Sequence, residues 1–221
     1  MIKKFFLLIF LFIFIPLFSF SKDFEIKGKN LAFNLPPFVI KLPSEFYLVH
    51  SFYRDFPNEN SRTRAYIFVK EKNRNTEELL IVEIADKMNP LAGPIIAPQL
   101  KPYAEERMYI KDKLSMNRVE INYMIQLFAW NPDSPSLKPI LEKGIKIPHQ
   151  WALQGQLLFT YKGENVVFFR YSKSINSFGL KLSQEGRDWN KDRLKGNEKI
   201  AYEDFKKSFI EMIKSINIKN L

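Results

Sequence analysis

The sequence contains no cysteine, and it contains only two histidines, His50 and His149. Without thiols the chain can form neither disulfides nor thiolate metal sites, and catalysis by cysteine is excluded. The two histidines form no His-x-x-x-His or His-Glu-x-x-His arrangement, so the spacing of zinc ligands is missing. We therefore expect a fold held together by packing and hydrogen bonds, with no metal ion and no other cofactor.

The usual catalytic motifs are also missing. Neither of the glycine-rich phosphate-binding patterns occurs, and there is no Gly-x-Ser-x-Gly nucleophile motif. The carboxylate pairs Glu105-Glu106 and Glu203-Asp204 are neighbours in sequence, and neighbours on a helix point in different directions. A serine–histidine–acid triad stays open, because the fold assembles its members. The sequence leaves catalysis undecided and favours a protein that is not an enzyme.

The N-terminus has the three parts of a secretory signal peptide. Lys3-Lys4 precedes an uncharged apolar run over residues 5–20, and the tripeptide Ser-Phe-Ser ending at Ser21 fits a cleavage site. The run is shorter than the about 20 residues of a membrane-spanning helix, although an uncleaved anchor is the alternative. We predict a signal peptide over residues 1–21, export to the periplasm or the extracellular space, and one mature domain over residues 22–221.

The charge of the chain is positive but mixed along the sequence. It has 34 Lys and Arg against 24 Asp and Glu, a formal net charge of +10. Residues 101–120 and 187–199 alternate in sign, whereas nucleic-acid-binding proteins cluster their basic residues. We expect no nucleic-acid partner. An envelope protein, a lipid or a glycan remains open as partner, and the charge permits peripheral contact with an anionic membrane surface.

Alternating apolar residues predict an antiparallel sheet closed by one helix. Strands are predicted over 31–35, 45–53, 65–69, 79–85 and 119–130, and a hairpin over 153–171 with its turn at 162–165. Apolar residues three or four apart predict a helix over 197–216, and a weaker pattern predicts another over 103–114. The prolines of residues 89–102 argue against regular structure there. This layout indicates a sandwich-like α+β fold, mainly an antiparallel sheet with a packing C-terminal helix.

Two tryptophans in polar segments are the candidate ligand-binding residues. Trp130 precedes Asn-Pro-Asp, and Trp189 lies among Arg187, Asp188 and Asp192. A tryptophan in a polar loop can stack on a sugar or clamp a peptide, while an arginine binds a carboxylate. The alternative is that Trp189 packs into the edge of the core and its charged neighbours stay at the surface.

Residues 188–192 partly match a calcium-binding loop. Asp188, Asn190 and Asp192 have the alternating spacing of such loops. However, Arg193 and Lys199 occupy the positions of the required glycine and closing glutamate. We therefore predict no metal site in this segment.

The order of elements resembles the PsbP-like family, which includes the extrinsic subunit of photosystem II and many bacterial exported proteins. The similarity lies in an opening strand with prolines over 33–43, the strand 119–130, the hairpin 153–171 and the final helix at 205–216. The resemblance implies a sheet flanked by helices and a non-catalytic accessory or binding role. It carries over no functional residues.

Three functions therefore remain as expectations. The first is an exported, non-catalytic binding or accessory domain of the cell envelope. The second is a lipid or lipoprotein carrier, for which an apolar cavity under the sheet would be needed. The third is a hydrolase acting on envelope polymers, for which a buried acid and a second carboxylate should face one cleft.

Overall fold

The structure is a computed structural model that describes residues 23–116, 118–131, 133–134, 137–147, 151–181 and 189–219. Its strands are β1 (Phe24–Lys27), β2 (Asn30–Asn34), β3 (Pro37–Lys41), β4 (Tyr47–Phe56), β5 (Ser61–Lys72), β6 (Asn75–Lys87), β7 (Met108–Met116), β8 (Val119–Ala129), β9 (Trp151–Tyr161), β10 (Asn165–Ser174) and β11 (Asn217–Ile218). Its helices are α1 (Lys138–Glu142) and α2 (Gly196–Lys214). The predicted signal peptide lies outside these ranges and stays a prediction.

The strands form two antiparallel sheets. The large sheet has the order β4-β5-β6-β10-β9-β8-β7, and the small sheet has the order β1-β2-β3-β11. Every strand pair in both sheets is antiparallel. The predicted class, mainly antiparallel sheet with a C-terminal helix, is therefore confirmed, and the protein is rich in strand for an α+β fold.

The small sheet and α2 pack on one face of the large sheet, which we call the core face. Phe38 of the small sheet lies edge-on to Phe159 and Phe169, with ring centroids 5.7 and 5.9 Å apart. Phe205 of α2 stacks on Tyr171 at 5.3 Å. These side chains alternate along their strands with residues on the opposite, outer face. Aromatic rings thus fill the space between the two sheets and the helix.

Three of the predicted elements show where local patterns succeed and fail. The hairpin at 153–171 and the final helix are confirmed by β9, β10 and α2. The helix predicted over 103–114 is wrong, because residues 108–116 form β7 at the edge of the large sheet. Residues 108–116 pair with the hydrogen-bonding edge of β8 that β9 leaves free. This pairing outweighs a weak local helix pattern, since sheet contacts routinely override intrinsic propensity.

A long irregular segment, residues 88–104, crosses the outer face of the large sheet; we call it the strap. It connects β6, the third strand of the sheet, to β7 at the far edge. Backbone hydrogen bonds tie it to neighbouring turns: Met88 N donates to Asn60 O at 3.0 Å and Ile95 N to Gly163 O at 2.9 Å. The predicted lack of regular structure over 89–102 is confirmed.

The helices of the structure are short or amphipathic. α2 buries one side on the core face through Phe205, Phe209 and Ile213. In the ranges given above, no helix combines the length and the apolar character that crossing a bilayer requires.

Candidate functional site

A groove lies between the strap and the outer face of the large sheet, and we call it the strap groove. Its volume is about 670 Å³. That volume falls within the about 300–1,000 Å³ that is typical of small-molecule sites. Apolar side chains from both the sheet and the strap line it: Phe56, Ile95, Ile96, Leu158, Val166 and Phe168. A polar group stands at one end of the groove, namely Asn58, Glu59, Asn60 and Ser61.

The floor of the strap groove belongs to a buried apolar cluster. Leu158 of β9 and Val166 of β10 pack there with Met124 of β8 and Leu100 of the strap. Alternation along the strands places these residues on the outer face, while Phe159 and Val167 point to the core face. The strap therefore covers apolar sheet surface that would otherwise face water, and the groove is the part it leaves open.

A second recess continues on the other side of the strap. It has a volume of about 690 Å³ and shares Pro98, Leu158 and Phe168 with the strap groove. Its polar end is formed by Arg170, whose Nη2 donates to Glu83 Oε1 at 2.5 Å. The guanidinium also lies 5.3 Å from the centre of the Phe168 ring. An apolar trough with a charged pair at one end thus runs beneath the strap.

Buried amides continue the outer face beyond this recess. Gln154 Oε1 accepts from Gln126 Nε2 at 3.0 Å and from Gln156 Nε2 at 2.7 Å. Gln154 Nε2 donates to Ser172 Oγ at 3.2 Å, and Gln126 Oε1 accepts from the strap backbone at Tyr103 N. Because buried amides need partners, this chain of hydrogen bonds fixes the end of the strap to the sheet.

One buried acid lies elsewhere in the large sheet. Glu78 is only 2 % exposed. Its carboxylate accepts hydrogen bonds from Lys70 Nζ at 2.8 Å, Tyr171 OH at 2.8 Å and Ser44 Oγ at 2.9 Å. Three donors satisfy the carboxylate, which is the arrangement of a buried structural charge.

The same cluster brings a serine close to a lysine. Lys70 Nζ lies 3.4 Å from Ser44 Oγ, which is the pairing that serine–lysine hydrolases use. Burial opposes the charge on Lys70, but the hydrogen bond to Glu78 raises the pKa of the lysine above its usual value overall. A lysine can act as a general base only in its neutral form, so the geometry does not favour nucleophilic catalysis at Ser44.

Hydrolysis of a glycosidic bond would require an acid and a second carboxylate facing one cleft, and two glutamates line the strap groove. Glu59 and Glu83 both line it. Glu83 lies opposite Ala65, and Glu59 lies beyond Ser61, and the backbone from Ser61 to Ala65 alone spans about 13 Å. Glycosidases hold their two carboxyl groups about 5–9.5 Å apart, and Glu83 is already bound to Arg170. A paired acid and base is not favoured here.

The two predicted tryptophans lie on opposite sides of the large sheet. Trp189 is 0 % exposed and belongs to the core-face cluster, where its carbonyl oxygen accepts from Tyr109 OH at 2.6 Å. Trp130 is buried on the other side with Leu137 and Ile140. The structure therefore does not bring them together, and it places Trp189 as the packing alternative expects.

The structure describes only some of the charged residues that the sequence places around Trp189. Asp192 is exposed, whereas Arg187 and Asp188 lie outside the described residues. A ligand-binding role for this segment stays a prediction. Among the side chains that the structure describes, no group of three or more His, Asp or Glu is placed to hold a metal ion.

Comparisons with protein-family models, curated protein sequences and solved structures found no match to this chain.

Proposed function

We propose that this protein is an exported, non-catalytic binding domain of the cell envelope that takes an apolar ligand in the strap groove. The observation that carries the proposal is the groove itself, an open recess with apolar walls from two sides and polar residues at one end. Binding sites for small molecules have this composition. The lipid carrier and the accessory domain are two forms of the same proposal, differing in what the groove holds.

The chemistry of the walls supports a ligand with a chain of methylene groups. Phe168 and Ile95 offer apolar surface on opposite sides of the groove, and Val166 forms part of its floor. Burying one methylene group contributes about 0.8 kcal/mol. Asn60 and Glu59 at one end can orient a polar head group. In mostly apolar binding sites, a small number of polar residues commonly fixes the orientation of the ligand.

The interior between the two sheets does not compete as a ligand site. Phe38, Phe159 and Phe169 are fully buried there, and Phe38 packs edge-on against both other rings. Protein interiors packed in this way hold few voids larger than a water molecule. A lipid carried by this fold would therefore lie on the outer face, beneath the strap.

Export and family are part of the proposal. The N-terminal sequence favours export, and the resemblance to the PsbP-like family favours a sandwich-like accessory domain without catalysis. Determining the N-terminus of the protein recovered from cells tests the first point. A mature N-terminus at Lys22 is expected, and an intact Met1 in the recovered protein would contradict cleavage.

The groove is tested by filling it. Ala85 lies in β6 and lines the strap groove, so Ala85→Phe should occupy the space of the ligand. With the fluorescent fatty acid 11-(dansylamino)undecanoic acid as probe, we expect saturable binding to the natural protein. The variant should bind at least about tenfold more weakly, which corresponds to about 1.4 kcal/mol.

A matched variant controls for the added ring. Ala129→Phe places the same side chain at another half-buried strand position, and Ala129 does not line the groove. It should leave probe binding unchanged. Equal binding by all three proteins, or no saturable binding to the natural protein, would contradict the proposed site.

A further inference from the structure

Several turns and chain segments meet at one end of the large sheet, which we call the turn end. It contains the β4–β5 turn with Asn60, the β9–β10 turn with Gly163, and the start of the strap. Lys87 N donates to Glu164 O at 3.0 Å, and Met88 N donates to Asn60 O at 3.0 Å. These bonds connect the end of β6 to a turn on either side of it, so the three segments form one rim.

The two most exposed large apolar side chains among the described residues stand on this rim. Leu91 is 95 % exposed and Ile96 is 89 % exposed. Scattered exposed leucines are common on proteins, but these two lie five positions apart on one segment. Ile96 also lines the mouth of the strap groove. Together they form an apolar tip that projects from the fold.

The tip is held in a defined conformation. Asn60 Oδ1 accepts from Asn89 N at 2.9 Å, and Asn89 Oδ1 accepts from Leu91 N at 3.0 Å. Ala92 N closes the turn by donating to Asn89 O at 3.1 Å. On the other side, Ile95 N is bound to the Gly163 carbonyl. Several hydrogen bonds thus fix the backbone that presents Leu91 and Ile96 to solvent.

The described chain also starts near this end. Asp23 Oδ2 accepts from Tyr66 OH at 2.8 Å and from Tyr53 OH at 3.0 Å. Arg64 lies 3.8 Å from Asp23 and binds Asp86, the residue before the last of β6. The first described residue, Asp23, therefore lies within a few residues of the turn end.

Lysines stand on both sides of the tip. Lys87 Nζ donates to Pro90 O at 3.0 Å, directly beside Leu91. Lys162 is exposed next to Gly163. Glu59 and Glu164 are exposed at the same end, so the charge there is mixed. Attraction to anionic head groups can assist binding, while insertion of apolar side chains provides most of it.

We propose that the turn end docks on a lipid bilayer, with Leu91 and Ile96 inserted into the boundary between head groups and acyl chains. The occupant is a membrane surface because the apolar tip is fixed by hydrogen bonds and has a lysine on either side. This inference does not depend on the ligand of the strap groove, although it would place the mouth of that groove at the membrane.

The absence of cysteine makes the test direct. Single variants Leu91→Cys, Ile96→Cys and Ile200→Cys of the whole chain, recovered with the N-terminus that the cell leaves, are labelled with the fluorophore NBD. Vesicles of equal parts phosphatidylethanolamine and phosphatidylglycerol are then added. We expect a blue shift and at least about a twofold rise in emission at positions 91 and 96, as NBD leaves water.

Position 200 is the matched control, since Ile200 is 60 % exposed on α2. Its label should not respond, whether or not the N-terminal run is retained. No response at 91 and 96, or an equal response at 200, would overturn the proposal.

A second measurement avoids the label. We expect Leu91→Ser with Ile96→Ser to lower the partition of the protein onto the same vesicles about tenfold, because two inserted apolar side chains are lost. Leu141→Ser with Ile200→Ser removes one exposed leucine and one exposed isoleucine elsewhere. This control should bind as the natural protein does, and an equal loss in both double variants would also overturn the proposal. Probe binding in the strap groove is measured separately, so the two proposals fail independently.

Discussion

Gly155 shows how closely the core face is packed at the scale of one residue. It lies in β9 beneath α2, and a Cβ atom built on it would lie 2.6 Å from three ring carbons of Phe209. That distance is shorter than any ordinary contact of a methyl group. The glycine is therefore required for the helix to approach the sheet, and the ring has no room to retreat in a filled core.

We expect Gly155→Ala to lower the free energy of unfolding by about 1–3 kcal/mol, the usual cost of overpacking. Urea denaturation followed by circular dichroism measures it. Gly93→Ala is the control, since nothing lies within 4 Å of the added methyl group. It should change stability by less than about 0.5 kcal/mol. Equal loss in both variants would mean that the contact with Phe209 is not the cause.

Glu78 carries the most deeply buried carboxylate among the described residues. Replacing it by glutamine removes the charge that Lys70 Nζ binds at 2.8 Å and leaves the half-buried lysine only the longer contact with Glu77, at 3.6 Å. We expect Glu78→Gln to destabilise the protein by about 1–3 kcal/mol, because the hydrogen bonds of a buried carboxylate are disturbed. Urea midpoints measure the change.

Glu120→Gln is the control for Glu78. Glu120 also pairs with a lysine, Lys113, at 2.9 Å, but both side chains are more than half exposed. Surface pairs of this kind contribute little, so the urea midpoint should stay where it is. A large effect at Glu120, or none at Glu78, would contradict the role assigned to burial.

Residue patterns alone leave two interpretations of Trp189, and the structure shows a buried ring. Trp189 attracts attention because its sequence neighbours are polar, yet the ring is buried among residues distant in sequence, such as Tyr109. Polar neighbours in the sequence indicate that a segment lies near the surface. They do not indicate whether one side chain within it points to solvent or to the core. The packing of α2 and β7 around Trp189 arises from tertiary contacts that a single sequence does not display.

At the scale of elements, the predictions succeed where apolar residues alternate without interruption. In β9 the residues facing the core are all apolar or glycine, and the partner β10 follows a short turn, so the hairpin could be read directly. In β7 the residues Lys111, Asp112 and Lys113 interrupt the pattern, because an edge strand tolerates charge on its outer side. Its strand character comes from pairing with β8.

The strap is the element whose placement the sequence predicts least. Its prolines indicate irregular structure, but its position depends on bonds between residues 23–68 positions apart, such as those from Asn60, Gln126 and Gly163. One sign was available: Val166, Val167, Phe168 and Phe169 are consecutive apolar residues in β10. Strands that are apolar on both sides are covered on both faces, which predicts a layer over the outer face.

Asn60 controls how firmly the strap is held. It has a left-handed backbone conformation with φ of 50°, and its side chain accepts from Asn89 N. We expect Asn60→Gly to keep the turn, because glycine favours that conformation, and to release the start of the strap. Hydrogen exchange followed by mass spectrometry should then be faster over residues 88–96, with the melting temperature nearly unchanged.

A control variant separates the side chain from the turn. Asn73 has the same left-handed conformation with φ of 53° in the β5–β6 turn, and Asn73→Gly should leave exchange in the strap unaltered. Unchanged exchange in Asn60→Gly would contradict the role of this hydrogen bond.

At the scale of the whole molecule, buried tyrosines make the fold sensitive to alkali. Burial, and then the charge of Glu203, raises the pKa of Tyr202 to about 12. Burial and the neighbouring Glu78 raise the pKa of Tyr171 well above its usual value. In the unfolded chain a tyrosine titrates near pH 10, so above that pH the unfolded state releases protons that the folded state keeps.

The contribution of these tyrosines to stability should therefore be constant below about pH 10 and be lost as the pH rises through the folded pKa of about 12. The urea midpoint should be lower at about pH 11 than at about pH 8. Tyr202→Phe should reduce this difference, since it removes one of the titrating groups. An equal midpoint at both pH values would show that the tyrosines are not protected from water in the native state.

The site could be predicted from the sequence only in part. Missing motifs favour binding over metal or nucleotide chemistry, which stays a prediction, and the proline-rich segment is confirmed as irregular. Which apolar residues would face a groove could not be predicted, because Phe56, Ile95 and Val166 come from three separate segments. The core face and the outer face of one sheet look alike in sequence when both are covered.

The central claim is that the strap groove holds an apolar ligand, and native mass spectrometry tests it most directly. The natural protein and Ala85→Phe are recovered from the envelope fraction of the same cells and their masses compared before and after organic extraction. We predict that the natural protein carries one extractable apolar compound per chain. Ala85→Phe should carry none. A natural protein that carries no such compound, or a variant that carries it equally, would contradict the account.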